Sequence, residues 1–176
     1  MKEGAAYLAP LIAGLFTLAP LVARAEWSIV TQNITDGAGT TRVAHITNDD
    51  GYSLELYRDA NNVIRLHLNM NAYNRLDGKI CPSFQVDKHP ARNRSINDAP
   101  CLTQPPWAEY ILGYIIDDHV TSTVLQDLLN GNTIIYRFIL RDAGYAETSF
   151  SLAGSKRVIS EILGNNLVVS TEKDLP

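Results

Sequence analysis

Only two cysteines, Cys81 and Cys101, occur in the 176 residues, and positive charge is in deficit: 15 lysines and arginines stand against 19 aspartates and glutamates, a net charge of −4 with histidines neutral. A negative surface repels phosphate backbones, so nucleic acid is excluded as the expected partner. The cysteines are not spaced as CxxC, which removes thioredoxin-type redox chemistry. His45, His67, His89 and His119 fall in four separate segments without an HxH or HxxxH pair, so no metal-ligand spacing exists. The GxSxG elbow of the α/β-hydrolases is missing. Ser170-Thr171-Glu172-Lys173 matches SxxK only formally, close to the end of the chain and without the rest of a penicillin-binding pattern. Asp49 and Asp50 adjoin in a turn, where successive side chains diverge rather than flank a cleft. The sequence therefore assigns no catalytic residue, no metal ligand and no cofactor.

Long apolar runs are also scarce, and the one that exists opens the chain. Lys2 supplies a basic start, residues 5–22 are apolar with Pro10 and Pro20 interrupting them, and Ala23-Arg24-Ala25 is a small-x-small cleavage motif. Two prolines and a cleavage motif fit a removed leader better than a retained membrane helix. The expectation is a signal peptide over residues 1–25, cut between Ala25 and Glu26, and a protein that is periplasmic or secreted with no stable membrane insertion afterwards. Residues 26–176 then form a single β-rich domain ending in a polar tail over 171–176. The leader carries Lys2, Arg24 and Glu3, so its loss makes the chain one unit more negative.

An even pair of cysteines in an oxidising compartment predicts a disulfide between Cys81 and Cys101. Closing a loop of this size stabilises by about 3 kcal/mol in the chain-entropy account. The loop carries Lys88, His89, Arg92 and Arg94, a local basic patch in an acidic protein, and these four are the candidate contact residues.

Period-two patterning dominates the remainder. Strands are predicted over residues 27–33, 42–47, 52–57, 64–70, 83–87, 109–116, 132–140 and 145–152, with an edge strand near 167–170. The clearest is the segment in which Ile64, Leu66, Leu68 and Met70 alternate with Arg65, His67 and Asn69. Asn48-Asp49-Asp50-Gly51 predicts a hairpin turn. A helix is predicted over residues 120–129 from the spacing of Val120, Val124 and Leu128, capped by Asp118 or Thr121 and ended by a left-handed Gly131. A second is predicted over 155–163, with Gly164 beyond its end. The fold class is mainly β: an antiparallel β-sandwich or partial barrel with two short helices.

Among polar side chains, Asp117-Asp118-His119 reads as a turn and helix cap, His67 as one member of an outward strand face with Arg65 and Asn69, and His45 as lacking a carboxylate partner. Tyr52, Tyr57, Tyr73, Trp107, Tyr110 and Tyr114 divide between packing and a possible binding surface, with packing the commoner use.

Trp27, Val86-Asp87, Cys101, Leu128-Leu129-Asn130-Gly131 and Ser151-Leu152-Ala153-Gly154 occur in an order that resembles the invasion-associated locus B family, best over residues 84–163. The family pattern has more cysteines and a residue larger than Ser155 after the glycine. The resemblance implies a small exported β-rich protein without a known catalytic site, linked in some pathogens to host-cell contact, and it carries over no site residues. The functional expectation is an exported, non-enzymatic binding or accessory protein that meets a protein partner of the cell envelope through a sheet face or the disulfide loop. The alternatives are an inhibitor of an envelope hydrolase, or an enzyme whose site is assembled from distant residues.

Overall fold

The structure, a computed structural model, describes residues 25–33, 39–92, 101–142 and 144–171. Residues 1–24 of the expected 1–25 leader, Arg94 and residues 172–176 of the expected tail lie outside the described residues.

Among the described residues eleven strands and two helices follow in the order β1 (Ser28–Asn33), β2 (Thr40–Thr47), β3 (Ser53–Arg58), β4 (Val63–Asn69), β5 (Ser83–Val86), β6 (Cys101–Gln104), β7 (Trp107–Tyr114), β8 (His119–Thr121), α1 (Thr123–Asn130), β9 (Thr133–Leu140), β10 (Gly144–Ser151), α2 (Ser155–Leu163) and β11 (Val168–Ser170). Six strands form one antiparallel sheet in the order β1-β2-β3-β4-β7-β6, three form a second in the order β10-β9-β5, and β8 and β11 make a short parallel pair. The sheets are not closed into a barrel, and the mainly β architecture is sandwich-like, as the sequence class predicts.

Period-two alternation puts Ala44, Ile46, Leu54, Leu56, Ile64, Leu66, Leu68 and Tyr110 on the inner face of the six-stranded sheet, all buried. They meet Phe84, Val86, Ile134, Tyr136 and Phe150 of the smaller sheet and the apolar stripes of both helices in one continuous core. Phe84, Tyr110, Tyr136 and Phe150 pack ring to ring, with centroids 5.1–6.2 Å apart.

Cys81 and Cys101 are bonded, with Cα atoms 6.3 Å apart. Cys101 opens edge strand β6 of the large sheet and Cys81 precedes β5 of the small one, so the bond staples one sheet to the other. The exposed side of β10 is closed in a different way. Trp27 Nε1 donates to Ser151 O at 2.8 Å and Asn48 Nδ2 donates to Ser149 O at 2.9 Å, occupying two carbonyls of that edge strand.

The sequence expectations need correction at several points. Strands β6 and β8 were not anticipated. Pro105 and Pro106 form the two-residue turn of the β6–β7 hairpin, so β7 starts at Trp107 and not at residue 109. Helix α1 begins at Thr123, after Val120 has been used in β8, and its cap is Ser122, whose Oγ accepts from Leu125 N at 3.2 Å. Asp118 and Thr121 do not cap it. Gly131 ends the helix with φ of −80°, an ordinary extended backbone. Its lack of a side chain matters for packing instead: a Cβ there would sit 2.4 Å from Val86 Cγ1. Gly164 does take a left-handed φ of 109° beyond α2.

Candidate functional site

The outer face of the six-stranded sheet carries the most organised polar chemistry among the described residues. Strand register places His45 opposite Glu55, Glu55 opposite His67, and His67 opposite Glu109, so four neighbouring strands contribute one transverse row of alternating imidazoles and carboxylates. Cross-strand partners on one face stand within side-chain reach of each other. A parallel row brings Tyr57 opposite Arg65.

These side chains are buried far beyond what a solvent-facing strand requires. Glu55 is only 8% exposed, and the side chains of Arg65, His67, Asp59 and Glu109 lie between 12% and 23% exposed. Half-buried charge must be compensated, and here it is. Arg65 donates from Nε to Asp59 at 2.8 Å and from Nη1 to Glu109 at 2.7 Å. The Tyr57 hydroxyl donates to Glu109 Oε2 at 2.6 Å. Asp59 also accepts from the backbone N–H groups of Asn61 and Val63. His67 Nδ1 lies 3.6 Å from Glu109 Oε2, a charge contact too long to be a good hydrogen bond. Its ring packs at a tilt against Trp107, with centroids 5.1 Å apart and planes at 52°.

The network fixes the ionisation of its members. His67, then Tyr57 and Arg65, outweigh burial and pull the Glu109 carboxyl down to about 2. Burial raises Asp59, but Arg65 and the two backbone donors prevail and leave it below the usual carboxylate range. Burial lowers Arg65, and its two carboxylate partners overcome that and hold it above its ordinary value. Burial and the bond to Glu109 push the Tyr57 phenol up.

His45 corrects an expectation directly. It has a carboxylate partner: Nδ1 is 3.2 Å from Glu55 Oε1, and Nε2 is 3.0 Å from Thr47 Oγ1. Gln32 Nε2 donates to the same Glu55 oxygen at 2.7 Å. With Nδ1 protonated, the imidazole donates to Glu55 and accepts from the Thr47 hydroxyl, a hydroxyl-imidazole-carboxylate relay.

A groove of about 610 Å³ runs over this face, lined by Gln32, Glu55, Tyr57, Asp59, Arg65 and His67 together with neighbouring amides. Its volume is within the range of sites for small ligands.

The basic loop is differently built. Residues 84–92 fold back as a small hairpin, with Arg92 N donating to Phe84 O at 2.7 Å. Lys88 is exposed, but His89 Nδ1 lies 2.6 Å from Asp127 of α1, so part of the patch is tied to an acidic residue. Arg92 is half-buried, with its Nε enclosed and unpartnered. Ala25 is half-buried and Glu26 exposed at the start of the described chain.

Elsewhere, Asp117 and Asp118 both take left-handed backbone, and His119 Nδ1 is 2.6 Å from Asp117 O, which makes this segment a tight turn into β8. Tyr52 and Tyr110 are core residues, Tyr57 and Trp107 belong to the outer face, and Tyr73 and Tyr114 are exposed. Among the described residues no group of three His, Cys, Asp or Glu side chains is placed to hold a metal, and no helix is long and apolar enough to cross a membrane.

Sequence reasoning missed Glu55, Asp59 and Glu109 as one cluster. The available signal was that each occupies a polar position of a predicted strand or its turn, but joining them needs the β4–β7 pairing across 37 intervening residues. Comparison with protein-family models, curated proteins and solved structures finds no match to this chain.

Proposed function

We propose that this chain is an exported, non-enzymatic binding or accessory protein of the cell envelope, and that it engages its partner through the outer face of the six-stranded sheet. The observation that carries the reading is the state of the carboxylates beneath the groove. Glu109 is held by Arg65, Tyr57 and His67, and Asp59 by Arg65 and two backbone donors. Carboxylates fixed this firmly in the ionised form are poor proton shuttles at neutral pH, because general acid–base work needs a group that titrates near the operating pH. They are suited to presenting a rigid charged surface.

Export is supported by the leader-like start and by the disulfide, a bond that persists in oxidising compartments. The resemblance to the invasion-associated locus B family points the same way. The basic loop is the secondary surface, reduced by the His89–Asp127 pair.

The test is crosslinking and pull-down from envelope extract with the wild-type chain, a groove variant (Glu55→Gln with Asp59→Asn) and a loop variant (Lys88→Ala with Arg92→Ala). Loss of a partner from the groove variant alone is the expected result. Loss from the loop variant alone moves the surface to the disulfide loop, and equal recovery from all three overturns both. N-terminal sequencing of the exported protein should begin at Glu26.

One specific arrangement favours a second reading. Thr47, His45 and Glu55 are spaced as the nucleophile, base and orienting acid of acyl-transfer enzymes. Covalent labelling of Thr47 by a fluorophosphonate, abolished in His45→Ala, would establish that chemistry; an unlabelled protein rejects it.

A further inference from the structure

We infer that the groove receives a cationic N–H donor, a primary ammonium or guanidinium group, with Glu55 as the residue that holds it. This rests on the reading of the outer face as a binding surface and adds the chemical class of what is bound.

Gln32 spends its amide on Glu55, Tyr57 its hydroxyl on Glu109, and Arg65 its Nε and Nη1 on Asp59 and Glu109. The guanidinium charge is therefore already shared between two carboxylates. Acceptor capacity beside it remains unused. Glu55 Oε1 takes bonds from Gln32 and His45, whereas Oε2 has no partner among the described residues. His67 Nδ1 lies 3.6 Å from Glu109 Oε2, and its Nε2 is buried with no hydrogen-bond partner among the described residues.

Charge agrees with that count. Glu55, Asp59 and Glu109 face a single guanidinium, so carboxylates outnumber the permanent positive charge by two. Glu55 is enclosed to nine-tenths of its surface, and a carboxylate at that depth is costly unless an opposite charge joins it. An anion would be repelled, and a neutral polyol would leave the excess uncompensated. An ammonium or guanidinium completes both the hydrogen bonding and the charge.

The closing experiment uses the ¹⁵N-labelled full chain, titrated at neutral pH with spermidine, tetralysine, Nε-acetylated tetralysine, tetraglutamate and maltohexaose. The expected result is saturable shifts of the Glu55, Arg65 and His67 amides with the free amines and none with the acetylated peptide. Glu55→Gln should weaken that binding about tenfold or more, as loss of a charged hydrogen bond does. Asp142→Asn, a charge removed from a distant exposed turn, should leave it unchanged. Preference for tetralysine over spermidine identifies a basic polypeptide, and the reverse a free polyamine. The acetylation comparison needs no variant, so it stands even if Glu55→Gln misfolds. Equal weakening by Glu55→Gln and Asp142→Asn means general attraction to an acidic protein and overturns the inference. Groove shifts with tetraglutamate or maltohexaose instead of the amines overturn the ligand class and keep the binding face. No groove shifts with any probe overturn both.

Discussion

The two faces of the six-stranded sheet are made by the same strands and handle burial in opposite ways. On the inner face, Leu54, Leu56, Ile64, Leu66 and Leu68 are fully buried, and each contributes about 1.5–3 kcal/mol by leaving water. On the outer face, Glu55, Asp59, Arg65, His67 and Glu109 are also largely enclosed, yet their ion pairs offset a desolvation cost and add little net stability. The inner face makes the fold stable. The outer face makes a rigid arrangement of charge at a cost that stability alone does not explain, which is why function is sought there.

The comparison breaks hardest at the inner face. Leu66→Asp should leave the chain unfolded by circular dichroism, and Leu66→Ala should cost about 2–5 kcal/mol in urea denaturation. Next comes the staple between the sheets: replacing both Cys81 and Cys101 by serine should cost about 3 kcal/mol, read as a lower midpoint in the same titration. On the outer face, Arg65→Leu removes the shared partner of Asp59 and Glu109 and should destabilise by about 1–3 kcal/mol, with Arg65→Lys recovering only part because one ammonium cannot reproduce the fork.

Glu109 sharpens the contrast through pH. Its folded pKa of about 2 lies below that of an unfolded glutamate, near 4.3, so its stabilisation is complete above the unfolded value and disappears as pH falls toward 2. Unfolding curves between pH 5 and pH 2 should therefore be less steeply pH-dependent in Glu109→Gln than in the wild type. The smallest effect belongs to the basic loop, where Lys88→Ala should change stability by less than about 0.5 kcal/mol by thermal denaturation.

Legibility in the sequence follows the range of the interaction. The β4 strand, the Asn48–Gly51 turn and α2 were readable because a period or a turn residue encodes each one locally. The β8 strand was not, because Val120 also fits a helical spacing with Val124 and only pairing with β11 recruits it to a strand. The disulfide was readable from the even cysteine number and the leader-like start of the sequence. The outer-face network was not: His67 was seen to face outward, but its row is completed by Glu55 and Glu109, and that depends on which strands become neighbours. His45 looked partnerless for the same reason, since its carboxylate is ten residues away across a hairpin whose register sequence does not print.

Strand β10 is one border of the three-stranded sheet. An open sheet border is a place where a second polypeptide can add itself as one more strand. With the Trp27 indole and the Asn48 amide already bonded to Ser151 and Ser149, a newcomer finds those carbonyls occupied and meets bulky side chains in its path. A protein can thereby keep an unclosed sandwich at high concentration without polymerising along that border.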